Sequence, residues 1–124
     1  MELKNDITNF YNNLDFINAN KIFMINTGKS KISLRILDNF LEVYCKNSSN
    51  NKMNNIYEEY KTQILIHNGK QYFDPFRRKH KLNLYISVLD ENIETSIGQL
   101  NFFMWLISNN ILEYVEDNIK KYLK

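Results

Sequence analysis

Lys81-Leu82-Asn83-Leu84-Tyr85-Ile86-Ser87-Val88-Leu89 and Ile97-Gly98-Gln99-Leu100-Asn101-Phe102-Phe103-Met104-Trp105-Leu106-Ile107-Ser108 are the two runs that decide the fold class. In the first, Leu82, Leu84, Ile86 and Val88 alternate with Asn83, Tyr85 and Ser87. That period of two is the mark of a strand with one face buried. The second run is strongly apolar and follows Glu94-Thr95-Ser96. A hydroxyl from Thr95 or Ser96 can accept the free amides of a first turn, so a helix is expected from residue 97 to 108.

Working outward, residues 6–19 place Ile7, Phe10, Tyr11, Leu14 and Ile17 at helical spacing and predict an amphipathic helix. Residues 21–26, Lys-Ile-Phe-Met-Ile-Asn, are short, apolar and partly β-branched, which predicts a buried strand. Thr27-Gly28-Lys29 turns the chain. Ser30 is positioned to cap a second helix with Ile32, Ile36, Leu37, Phe40, Leu41 and Tyr44 on one face, ending near Lys46. The polar residues 47–52 read as a surface loop. Asn54 or Asn55 is the expected cap of a third helix carrying Ile56, Tyr60, Gln63, Ile64 and His67, which Asn68-Gly69 stops. A final helix is expected from Ile111 to about Tyr122, its acids early and its lysines late, as the helix dipole favours. The helices cluster instead of alternating with strands. The expected class is therefore α+β: one helix-rich domain over residues 1–124, with about five helices and two or three short strands.

The chain has 124 residues, of which 44% are hydrophobic, including 8 Phe, 8 Tyr and 1 Trp. That suffices for one core and argues against disorder. The longest apolar run, Phe102-Phe103-Met104-Trp105-Leu106-Ile107, falls far short of the roughly 20 residues a membrane-spanning helix needs, so no membrane partner is expected. The opening residues lack the basic head and apolar stretch of a secretory signal. Cys45 is the single cysteine, so no intrachain disulfide is possible, and a reducing intracellular compartment follows. The chain has 20 Asn, 15 Ile and 13 Lys against 1 Ala and 1 Pro, which points to an A/T-rich genome. Net charge is +2 but unevenly spread. Residues 21–81 carry 12 Lys or Arg and 5 acids, whereas residues 82–119 carry 6 acids and no Lys or Arg. Either the molecule is two-faced, or the two halves fold together and neutralise each other.

Little in the sequence suggests catalysis. His67 and His80 lack spaced Cys, His or acidic partners, so no metal and no cofactor is expected. Cys45 sits on a predicted apolar face and reads as a small packing residue. The acid pairs Glu58-Glu59 and Asp90-Glu91 read as solvated. Gly28-Lys29-Ser30 imitates the end of a phosphate-binding loop, but that loop needs a glycine where this chain has Phe23. A turn and a helix cap explain it better. The expectation is a non-enzymatic protein.

Two segments suggest contact instead. In Tyr72-Phe73-Asp74-Pro75-Phe76-Arg77-Arg78-Lys79-His80-Lys81 the aromatics should anchor a loop in the core while Asp74 accepts backbone amides or pairs with Arg77. Lys70, Arg77, Arg78, Lys79 and Lys81, joined by Arg35, would then form a fixed basic ridge. Arginines can grip phosphates with two donors each, so the ridge suits nucleic acid or an acidic protein. The competing reading is a solvated loop that offsets the acidic half. In the helix after Gly98, Phe102, Phe103 and Trp105 point to different sides. One side should meet the core, and another is a candidate for self-association into a homo-oligomer, unless the helix is wholly buried. Gly98 within it suggests the close approach of another backbone.

The segments Lys31-Ile32-Ser33-Leu34-Arg35-Ile36-Leu37-Asp38, Tyr60-Lys61-Thr62-Gln63, Phe73-Asp74-Pro75-Phe76 with Arg78, and Ser96-Ile97-Gly98-Gln99-Leu100-Asn101-Phe102-Phe103 carry a resemblance. Together they resemble a family of small uncharacterised proteins of nucleocytoplasmic large DNA viruses, the mimivirus-like group among them. The resemblance implies a viral origin, in keeping with the A/T-rich usage. It implies a place in the host cytoplasm or virus factory, or packaging in the virion. The family resembled often has a Cys at the position of Arg77, so a metal or redox role there does not carry over. The expected function is a viral binding module acting through residues 70–81, with a structural or assembly protein as the alternative.

Overall fold

Asp15 divides the N-terminal amphipathic run in two. The helix α1 spans Asn5–Asn12; Asp15 is extended, and its carboxylate accepts the amide of Asn18 at 3.1 Å, which caps a second helix, α2, at Phe16–Asn26. That bond, with a second from the Asn18 side chain at 2.8 Å, holds the Asp15 carboxyl below its ordinary pKa. The computed structural model describes residues 5–67, 69, 72–74, 76 and 81–119. Residues 21–26, expected as a strand, are the second half of α2. Ala19, Ile22 and Ile25 recur at every third position and are buried, so burial and the Asp15 cap outweigh the β-branched local preference. The helix ends in a Schellman motif: Gly28 N–H reaches Ile25 O at 3.1 Å, and Lys29 N–H reaches Met24 O at 2.8 Å. Gly28 stands at φ +76, where a side chain is strained.

Ser33, not Ser30, caps the next helix, α3, at Leu34–Asn39 by accepting Ile36 N–H at 3.2 Å. Ser30 instead accepts Ile32 N–H at 3.0 Å within the turn. The chain runs on without a break into a π-helical segment, Phe40–Cys45, which buries Phe40, Leu41 and Cys45. Helix α4 spans Asn51–Ile66 and is capped by Asn50, so it begins earlier than Asn54 or Asn55 would allow. The side chain of Asn54 donates to Ser48 O.

Strand β1, Lys81–Ile86, alternates exposed positions with the half-buried Leu82 and Leu84 and the buried Ile86. The strand stops short of the expected Leu89, because residues 87–90 form a turn in which Val88 is exposed. It pairs antiparallel with β2, Glu91–Ser96, which was not expected; Leu84 faces Ile93 and Lys81 faces Ser96. Asp90 turns the hairpin in the left-handed region at φ 53 and accepts the Tyr85 hydroxyl at 2.7 Å. Helix α5, Ile97–Ser108, follows directly, capped by Ser96, whose Oγ accepts Gln99 N–H at 3.2 Å. Asn110, left-handed at φ 58, leads into α6, Ile111–Asp117.

The class is helix-rich α+β, with six α-helices and one two-stranded antiparallel sheet among the described residues. Helix α5 is its axis. Every residue from Ile97 to Phe103 is buried, as are Trp105 and Leu106, with α1, α6 and β2 packed around them. Tyr11 on α1 donates its hydroxyl to Leu100 O at 2.5 Å. Among the described residues, no helix is long and apolar enough to cross a membrane.

Candidate binding site

Phe73 is fully buried and sits in a ring cluster drawn from two helices. Its centroid lies 5.9 Å from Tyr60, from Phe102 and from Trp105, and His67 stacks on it at 5.3 Å with planes 11° apart. The backbone on either side is fastened as well. Asn101 donates Nδ2–H to Tyr72 O at 2.8 Å, and Asp74 N–H reaches Gly98 O at 3.3 Å. Asp74 then accepts Phe76 N–H at 2.8 Å, which turns the chain outward. Phe76 is 48% exposed, so of the two phenylalanines flanking Asp74 and Pro75 only Phe73 is an anchor.

Lys70, Arg77, Arg78 and Lys79, the centre of the expected ridge, lie outside the described residues, as does His80. Lys81 is exposed at the first position of β1. It edges a hollow of about 280 Å³ with Asn83, Glu94, Thr95, Ser96 and Gln99. The buried Thr95 hydroxyl donates to Gln99 Oε1 at 2.9 Å. This hollow offers an ammonium and polar side chains beside the start of α5, with the Glu94 carboxylate opposing any anion. Arg35 is exposed on α3 and is not part of it. Lys21, another cation of the basic half, pairs with Glu116 at 2.7 Å, joining α2 to α6.

Phe102, Phe103 and Trp105 are 0%, 1% and 5% exposed. Their side chains belong to the core of one chain, which corrects the expectation that they offer a face to a second copy. Burial pushes the Cys45 thiol up to about 12, which favours its protonated form at neutral pH. Gly28, Lys29 and Ser30 form the turn described above. Among the described residues, no group of three or more His, Cys, Asp and Glu side chains gathers to hold a metal ion. The residues that sequence reasoning missed are the loop's holders, Tyr60, His67 and Asn101. Asn101 was the available signal: an amide inside so apolar a helix must find a backbone partner.

A model of a family of unknown function, DUF7197, matches residues 3–124. The chain belongs to that family. An uncharacterized protein of Acanthamoeba polyphaga mimivirus is 44% identical over 108 residues, covering 75% of this chain and 40% of the relative. This chain thus spans less than half the length of that relative. The giant-virus kinship expected from the four segments is shown by these matches. No solved structure matches the chain.

Proposed function

We propose that the domain is a non-enzymatic viral binding module that engages nucleic acid, or an acidic protein surface, through its basic segment. The segment comprises Lys70, Arg77, Arg78, Lys79 and Lys81, with Arg35 as an outlying contact. The observation that carries this reading is the fastening of residues 72–74. A buried ring, two backbone-directed hydrogen bonds and the Asp74 turn hold the chain on the near side of the cations. Strand β1 holds it again at Lys81. Cations bounded by two fixed points lose less entropy on binding than those of a free tail. The buried, protonated Cys45 and the packing of His67 against Phe73 favour contact over nucleophilic chemistry. The site of action we propose is the virus factory or host cytoplasm, or the virion itself.

Fluorescence anisotropy with labelled DNA and RNA across a salt series tests this. Binding should weaken steeply with salt, because each phosphate contact releases counterions. The Arg77→Ala/Arg78→Ala double variant should flatten the slope of log K against log salt by about two. An absence of binding at low salt to these probes and to a polyglutamate competitor, or an unchanged double variant, rejects the proposal.

A further inference from the structure

Between α4 and α6, lined in part by Trp105 of α5, lies an open cleft of about 820 Å³. Met53 and Ile56 of α4, Tyr114 of α6 and Trp105 of α5 supply its apolar lining. On α4, Met53, Ile56 and Glu59 follow at every third position, one face over about two turns. Glu59 stands on one wall, and Glu113 and Asp117 on the other, all three exposed. Lys52 is the single cation lining it. Among the described residues none of the three carboxylates forms a salt bridge, the one such pair being Lys21 with Glu116. The cleft is therefore apolar in the middle and negative on both sides.

The flanking charge selects the occupant: three carboxylates against one ammonium favour a cationic ligand over an anionic one. A peptide brings an apolar side chain and flanking charges in one segment. Nucleic acid would bring phosphates against three carboxylates.

We propose that this cleft docks a short cationic segment of a partner protein. An apolar side chain fills the space among Met53, Ile56, Trp105 and Tyr114, and Lys or Arg on either side meets Glu59, Glu113 and Asp117. The proposal is independent of the basic segment, which would engage its own ligand elsewhere.

Trp105 is the chain's single tryptophan, so its emission reports on the cleft directly. The probe is a short amphipathic peptide with leucines on one face and arginines flanking them; its control carries glutamates in place of the arginines. The arginine peptide should shift Trp105 emission saturably, and the glutamate peptide should not. The E59Q/E113Q/D117N triple variant should bind about tenfold more weakly, since each exposed pair contributes modestly. These carboxamides are exposed and match the acids in size, and circular dichroism will confirm that the fold is kept. No response to the arginine peptide, an equal response to both peptides, or an unchanged triple variant overturns the proposal. So does an emission change on dilution of the protein alone, which would make a second copy the occupant. An oligonucleotide response abolished by the triple variant overturns it as well.

Discussion

Phe73 decides where the loop sits, and packing rather than charge is what holds it. A fully buried phenylalanine gains about 1.5–3 kcal/mol from removal from water. A half-buried surface ion pair such as Lys21 with Glu116, still open to solvent screening, contributes about 0–1 kcal/mol. Phe73→Ala should therefore cost about 3–5 kcal/mol in urea unfolding, through lost transfer energy and the cavity left among Tyr60, Phe102 and Trp105. Phe73→Leu should cost clearly less. Equal losses for the two would mean that the ring cluster does not place the loop. Cys45 gives a second test at this scale. Its thiol is buried and raised to about 12, so a thiol-specific disulfide reagent should fail to label the native chain near neutral pH and label it fully in urea. Rapid native labelling contradicts that burial.

At the scale of elements, α5 depends on the junction at Ser96, the last residue of β2 and the cap of the helix. Ser96→Ala removes the acceptor for Gln99 N–H and should lower stability by about 1 kcal/mol, read as a drop in Tm. Ser96→Asp restores an acceptor but introduces a charge into a buried site, so it should not rescue fully. This junction was legible in the sequence because both its signals are local: the alternation through Leu82, Leu84 and Ile86, and a hydroxyl just before an apolar run. Two other elements were not legible, for reasons of the same kind. Residues 21–26 look like a strand in isolation, but a cap at Asp15 had already begun a helix that reaches them. Strand β2 carries Ile93 as its one strongly apolar residue, and hydrogen bonds to β1 make it a strand. The candidate site divides likewise. Tyr72-Phe73-Asp74-Pro75 announced an anchored turn, but Tyr60, His67 and Asn101 meet it only after α4 and α5 have packed. The cleft between α4 and α6 had no sequence signature, because its walls come from segments far apart in the chain.

Across the whole molecule, several buried acids couple the fold to alkaline pH. Tyr11 on α1, Tyr60 on α4 and Cys45 on the π-helical segment all have their pKa values raised, in each case chiefly by burial. For Tyr60 the carboxylates of Glu42, Asp38 and Asp74 add to the effect. The sign follows from which state keeps its protons. Below about pH 8.5 all three groups are protonated in both states, and they leave stability flat with pH. Above that the unfolded thiol ionises, and from about pH 10 the unfolded tyrosines do too, while the native groups hold their protons. The unfolded chain then binds fewer protons, so stability falls as pH rises, by up to about 1.4 kcal/mol per pH unit for each group titrating. For Cys45 this window runs from its unfolded value up to about 12. Cys45→Ala should flatten the first part of the alkaline limb. Tyr11→Phe should flatten the later part, even though it removes the hydrogen bond to Leu100 O and costs about 1 kcal/mol at neutral pH. Urea unfolding of the three proteins from pH 7 upward separates these effects, because a purely structural loss lowers every curve equally without changing its slope. If the slopes of both variants match that of the parent chain above about pH 10, the alkaline limb comes from other groups, and burial of these three is not what ties this fold to its protons.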